Sequence, residues 1–312
     1  MSTPGWFLHS PFLTSVSIAG PWCAAALLAG YRRHARTIGC IAAFVSIVAS
    51  AALLQDAPKG ESLYQALMLL YSCLTFGATL LLPRRDSTAG TIGGILFLLG
   101  STLLAYSTRN LLVLLVAWIL SMVPFLWAGW FRGRPWRPLA GLLLSGLSLA
   151  LAIAAMLSRT RVASIDGLKG QNPGGLAAFG LLVIAVVFRK GLCPVHVWVA
   201  DAAEGDPAVP TALLLNGHFG ALLVAKLVVP LFPRLDTLFP VLSYLAIATA
   251  LYVAIRALGE NSPRRLLAFL ALSQSACILS GLESRTPEGI AGAIVHWFVV
   301  SISTVGLFGI LR

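Results

Sequence analysis

FRKGLCPVHVWVADAAEGDPAVPTALLLNGHFGALLVAK, residues 188–226, is the stretch from which the fold of this chain can be read. It opens on a cation pair, Arg189-Lys190, that closes an apolar run beginning near residue 174. Pro194 follows, then an amphipathic turn carrying Trp198 and Asp201. Glu204-Gly205-Asp206-Pro207 and Pro210 then start a second apolar run that reaches Lys226. Proline has no amide hydrogen to give and restricts the residue before it, so a helix crossing 188–210 must break there. The polar side chains gather at that break, and the runs on either side are long enough to cross ~30 Å of hydrocarbon.

Outward from this stretch the same grammar repeats. Apolar runs of membrane length lie near 12–31, 37–54, 62–82, 89–107, 110–130, 138–157, 174–190, 210–230, 237–258, 264–281 and 289–311. The linkers are short and rich in turn formers, such as Pro83-Arg84-Arg85-Asp86, Arg132-Gly133-Arg134-Pro135 and Asn261-Ser262-Pro263. The fold class is therefore an all-α polytopic membrane protein with about eleven transmembrane helices. Hydrophobic residues make up 58% of the 312 positions and charged residues 11%, and the mean hydropathy is +0.88. A soluble domain carries about 25% charge, so a single soluble core is excluded.

The net charge of +11 does not mark a nucleic-acid binder, because the Lys and Arg residues are scattered through short loops and form no stripe. The five cysteines (Cys23, Cys40, Cys73, Cys193, Cys277) lie in or beside apolar runs with no paired spacing. They read as small buried hydrophobes, with neither disulfides nor a metal cluster expected. Residues 1–10 contain no basic segment, so no cleavable signal is expected and the first helix stays in the protein.

Positive charge sets orientation. With the N-terminus outside, fourteen of the 22 Lys and Arg residues fall at cytoplasmic ends and seven on the opposite side; Lys226 lies within a span. The expected topology in a bacterial inner membrane is thus N-terminus outside and C-terminus cytoplasmic.

Ionisable groups at membrane depth are costly and mark function by default. The candidates for a proton path are Arg189, Lys190, His196, His218, Lys226 and His296. Each has a plainer reading: Lys226 snorkels to an interface near Pro230, His218 and His296 are neutral hydrogen-bonding core residues, and Arg189 and Lys190 are interfacial anchors. All eleven Asp and Glu residues fall in loops or at helix edges, so no carboxylate is expected at bilayer centre.

The opening stretch resembles the signature of the antiporter-like subunits of respiratory complex I, a family that includes Mrp-type antiporters, membrane-bound hydrogenases and DAB-type inorganic-carbon uptake complexes. Pro194, His196, Trp198, Asp201, Ala202, Glu204, Pro207, Pro210, Ala212 and Leu213 match the family pattern. In NSPRRLLAFLALSQ, residues 261–274, Arg265, Leu267, Ala268, Ser273 and Gln274 fall in register. NLLVLLVAWILSMVPFLWAGW, residues 110–130, looks like the family helix with a Trp-Glu pair.

The resemblance implies inverted five-helix repeats, each with a broken helix and a mid-membrane lysine or glutamate. It implies residues 1–88 as N-terminal helices, 89–230 as a first repeat and 231–312 as an incomplete second one. The broken-helix motif would be Pro194, Trp198, Asp201, Glu204, Asp206, Pro207, Pro210 and Asn216, with the three acids near the cationic helix end at Arg189 and Lys190. The departures are specific. Trp118-Ile119 stands where Trp-Glu is expected, the lysine position falls on Arg189 or Lys190, and the expected histidine falls on Asn216 with His218 nearby.

The expected role is that of an antiporter-like subunit in a larger energy-coupling complex, conducting or scaffolding proton movement. It would work with other membrane subunits and the lipid bilayer, possess no cofactor of its own, and bind no nucleic acid. An alternative is a subunit coupling proton motive force to carbon dioxide hydration by a large cytosolic partner; a further one is a stand-alone secondary transporter. A membrane enzyme acting on lipid is disfavoured, since no paired acids, metal cluster or nucleophile–base spacing is present.

Overall fold

A computed structural model describes residues 11–57, 62–127, 136–205 and 207–311. Almost every described residue lies in a helix, joined by short turns, and no strand is present among them. Hydrocarbon offers no partner to a free amide or carbonyl, so a spanning chain must satisfy its backbone internally, and the helix does so residue by residue.

The helices in chain order are α1 (Pro11–Gly30), α2 (Ala35–Gln55), α3 (Ser62–Leu81), α4 (Ala89–Ser107), α5 (Leu111–Leu120), α6 (Val123–Trp127), α7 (Trp136–Thr160), α8 (Ile165–Leu168), α9 (Gly175–Lys190), α10 (Val197–Ala203), α11 (Ala208–Asn216), α12 (Phe219–Leu223), α13 (Val229–Leu231), α14 (Phe239–Leu258), α15 (Pro263–Glu283) and α16 (Pro287–Ile310). Among the described residues nine helical segments are long and apolar enough to span, counting Ala208–Leu231 as one. The other two expected spans are helical but shorter: α5–α6, and the 16-residue α9. In the first of these, Ser121 Oγ donates to the Trp118 carbonyl at 2.6 Å where α5 ends, and Pro124 follows inside α6. The chain is an integral membrane protein.

Starts and stops follow local chemistry. Thr88 caps α4 by accepting from the Thr91 amide, Asn110 caps α5 by accepting from Leu112 and Val113, and Thr286 caps α16 by accepting from Gly289. Pro263 and Pro287 occupy first-turn positions, where the missing amide costs nothing. Large apolar side chains face outward, among them Leu258 at 88%, Ile310 at 72% and Ile255 at 68% exposed. Lipid is as apolar as a core, so it receives them without cost. The same fact corrects the expectation for the cysteines: all five are free thiols, Cys23, Cys73 and Cys277 are exposed and Cys40 and Cys193 half-buried. Apolar character in lipid does not oblige a side chain to point inward.

The described chain forms two compact units. The first holds α1–α6 and α11 from Val209 on. In it, Ser46 Oγ donates to the Ser17 carbonyl at 3.0 Å, tying α2 to α1, and the Trp22 indole donates to the Phe97 carbonyl at 3.2 Å, tying α1 to α4. The second unit holds α7–α10 and α12–α16. Within it Phe179 packs edge-on against Phe232 and Phe239, at 5.7 and 5.8 Å.

The expected break near 188–210 is present as two interruptions, between α9 and α10 and between α10 and α11. A third falls inside the run expected as one span over 210–230: the helix stops at Asn216 and restarts at Phe219, with His218 in left-handed geometry at φ 41°. A π-helical turn, Val224–Val228, follows.

Candidate functional site

Among the described residues of the second unit, the charged side chains gather mainly in two clusters. The first is built by the end of α9. Gly191 closes that helix at φ 74°, a conformation that side chains with a Cβ rarely adopt. Arg189 and Lys190 thus end the helix side by side, 6% and 5% exposed. The Lys190 stem crosses the backbone of α12 at Gly220, where a Cβ would lie 2.6 Å from Lys190 Cγ. This close approach carries Lys190 Nζ to 2.8 Å from His218 Nδ1. His218 is 2% exposed; its Nε2 lies 3.1 Å from Ser301 Oγ on α16, and its ring stands edge-on to Trp297 at 5.3 Å. Arg189 turns the other way, its guanidinium 4.6 Å from the Phe219 ring.

Lys190, His218 and Ser301 therefore form a continuous buried row: an ammonium donor, an imidazole with one nitrogen toward each neighbour, and a hydroxyl. An imidazole can accept at one nitrogen and donate from the other, so the row has the chemistry of a proton relay. His218 lies ten residues into the 24-residue span Ala208–Leu231, between its two helical halves. A non-glycine residue at φ 41° costs of order 1 kcal/mol or more and persists only where its surroundings over-determine it.

The second cluster is ionic and centres on Asp201 of α10. Its carboxylate accepts from Arg265 on α15 at 2.9 Å and from Arg137 on α7 at 3.2 Å. Arg265 also meets Glu260 at 3.2 Å and Glu204 at 3.5 Å, and Arg256 meets Glu260 at 3.6 Å. Arg264 donates to the Gly205 carbonyl at 3.2 Å. Asp201 was expected near Arg189 and Lys190; instead α10 turns its carboxylate toward α7 and α15. Trp198, on the same short helix, packs at the α9 end and donates to the Phe188 carbonyl at 2.9 Å.

The remaining expected residues are dispersed. His196 lies between Tyr252 and Phe269, its Nδ1 3.5 Å from Cys193 Sγ, and Pro194 follows Cys193 at the start of that turn. His296 donates through Nε2 to the Gln274 carbonyl at 3.0 Å and lines a groove between α15 and α16. Lys226 is 7% exposed within the π-helical turn, so it does not snorkel. Asn216 donates back to the Ala212 carbonyl of its own helix at 2.7 Å, and His218 takes the place beside Lys190. Pro207 precedes α11 and Pro210 lies in its first turn. Asp206 lies outside the described residues. Ile119, at the expected glutamate position, is 45% exposed among outward-facing apolar side chains.

Sequence reading missed Ser301, Arg137 as the second partner of Asp201, and Glu283. Glu283 closes α15, is 5% exposed, and has no hydrogen-bond partner at either carboxylate oxygen. A serine in an apolar run gives no signal, and a glutamate at the end of one reads as an interfacial residue.

Residues 138–312, more than half of the chain, match the model of the family described as NADH:quinone oxidoreductase/Mrp antiporter, TM. The chain belongs to this family. Both clusters lie within the family match, save Arg137, which precedes it by one residue. NADH-quinone oxidoreductase subunit N of Parvibaculum lavamentivorans is 25% identical over 172 residues, covering 54% of this chain and 36% of the relative. The chain thus spans about a third of the length of that curated relative. Two solved structures share the antiporter-family fold. A chain of the Mrp complex from Dietzia sp. DQ12-45-1b superposes with TM-score 0.85 at 20% identity, covering 96% of this chain and 64% of that one. A chain of respiratory complex I from Thermus thermophilus, solved with bound NADH, gives TM-score 0.85 at 21% identity, covering 95% and 70%.

Proposed function

We propose that this chain is a proton-handling antiporter-like subunit of a larger membrane complex, in which Lys190, His218 and Ser301 pass protons across the break between α11 and α12. The observation that carries the reading is the 2.8 Å contact between Lys190 Nζ and His218 Nδ1, both side chains buried. As an ammonium, Lys190 donates to Nδ1 while the opposite Nε2–H faces Ser301 Oγ. Transfer of the lysine proton to Nδ1 and release of the Nε2 proton moves one charge across the ring and leaves the other tautomer. A lysine can give up its proton in a dry site, whereas Arg189 beside it stays charged and shapes the local potential.

In this reading Asp201, Arg265 and Arg137 brace the break and hold α10 in place. Residues 89–230 belong to a first repeat and 231–312 to a second, and other membrane subunits share the path. That one relative is named as a subunit and a structural neighbour as a complex supports a shared assembly. The charge bias supports an outside N-terminus and a cytoplasmic C-terminus. The reading requires no cofactor in this chain.

The test is proton flux in proteoliposomes holding the native complex, comparing wild type with Lys190→Ala and His218→Gln. Both variants should fall to the background leak while assembling normally. Full flux in an assembled Lys190→Ala complex would remove the relay.

A further inference from the structure

Glu283 is the buried acid that the mechanism above does not use. It is the last residue of α15, 5% exposed, and both carboxylate oxygens are buried without a hydrogen-bond partner. Of the charged groups next along the chain, Arg285 turns its guanidinium over the Phe239 ring at 5.4 Å and Glu288 is exposed in the first turn of α16. Among the described residues no cation pairs with Glu283.

Two independent features oppose a negative charge here. Removal from water without a paired cation penalises the ionised form. The C-terminal end of a helix is the negative pole of its dipole and exposes carbonyls that lack amide partners, so an anion is repelled there. A protonated carboxyl escapes both penalties, because it carries no charge. One turn earlier, Ser280 Oγ and Ser243 Oγ of α14 lie 3.0 Å apart, a polar pair in the α14–α15 seam.

We infer that Glu283 is a proton-binding site that carries its carboxyl neutral at working pH, at the opposite end of α15 from the Asp201–Arg265 cluster. It is the embedded acid that a reading by sequence position hides, since it stands at the edge of an apolar run. The site does not depend on the Lys190 relay, because occupancy by a proton is read at rest and flux is not.

The test is infrared spectroscopy of the full chain, purified with its complex in lipid nanodiscs at neutral pH. Wild type should show the carbonyl stretch of a protonated carboxylic acid, and Glu283→Gln should lack that band. Gln replaces a neutral carboxyl nearly atom for atom, so the variant should unfold at the same temperature as wild type in sodium or in potassium buffer. A spectrum without that band in wild type, or one unchanged by the substitution, would overturn the proposal. Sodium-specific stabilisation of wild type that Glu283→Gln loses would overturn it in favour of a metal cation, and so would failure of the Gln variant to fold.

Discussion

Arg265, in the first turn of α15, places its guanidinium 2.9 Å from the Asp201 carboxylate on α10, joining two of the three stretches that carried the family resemblance. The side chains are 20% and 8% exposed, whereas Arg137, the second partner of Asp201, is 30% exposed. Burial determines which pair matters more. Removing one member of a buried pair strands the other and costs about 3–5 kcal/mol, while an exposed pair is worth about 0–1. Arg265→Met should therefore destabilise the chain by about 2–3 kcal/mol and Arg137→Met by about 1 or less, because Arg265 also holds Glu260 and Glu204. Thermal unfolding of the detergent-solubilised complex measures both. Equal losses for the two variants would contradict the ranking.

Replacing Lys190 with Arg keeps the charge and removes the titration. Conducting lysines are replaceable by arginine only if charge alone is needed, since a guanidinium does not deprotonate in proteins. Lys190→Arg should assemble, yet pass protons no faster than Lys190→Ala in proteoliposomes. Ser301→Ala removes the hydroxyl that faces Nε2 and should likewise lower flux toward the background leak, while costing only about 1 kcal/mol of stability for the lost hydrogen bond. Wild-type flux in Lys190→Arg would show that the site needs a cation and not a proton carrier.

Two glycines should respond to alanine with opposite signs. At Gly180 in α9 a Cβ would meet open space, so Gly180→Ala should gain up to about 1 kcal/mol from helix propensity alone. At Gly220 the same Cβ would lie 2.6 Å from Lys190 Cγ, at the base of the side chain and not at its flexible tip. The lysine must be displaced, so Gly220→Ala should lose about 1–3 kcal/mol and most proton flux together. Unfolding temperatures of the two variants, measured side by side, give the sign directly.

Nine of the eleven expected spans were legible among the described residues because lipid imposes a minimum apolar length, and no soluble architecture imitates it that often in one chain. The breaks beside Pro194 and Pro207 were legible because proline cannot donate. The break at 217–218 was not, since Gly217 and His218 sit in an otherwise apolar run and only the left-handed turn at His218 reveals it. The pairing of Lys190 with His218 joins positions 28 residues apart, and that of Asp201 with Arg137 joins positions 64 apart. Neither follows from helical spacing within one run. Periodicity tells which residues share a helix face; it does not tell which face meets another helix when lipid accepts apolar side chains as readily as the core does. The misreading of the cysteines has that same cause.

In the first unit, Tyr71 and Tyr106 test how the chain tolerates its third break. Tyr71 donates to the Leu213 carbonyl at 2.9 Å and Tyr106 to the Gly217 carbonyl at 2.8 Å, and both rings are 1% exposed. The Leu213 carbonyl also accepts the Gly217 amide at 3.0 Å, so it stays bonded when Tyr71 loses its hydroxyl. Gly217 lies in the turn, where the left-handed His218 interrupts the helical ladder and a side-chain donor must substitute for part of it. Tyr106→Phe should therefore cost about 1–3 kcal/mol, the penalty for stranding a buried polar group, against about 0.5–1 for Tyr71→Phe. Unfolding of the purified variants ranks them, and a Tyr71→Phe loss equal to or larger than that of Tyr106→Phe would show that the turn finds its hydrogen bonds without Tyr106.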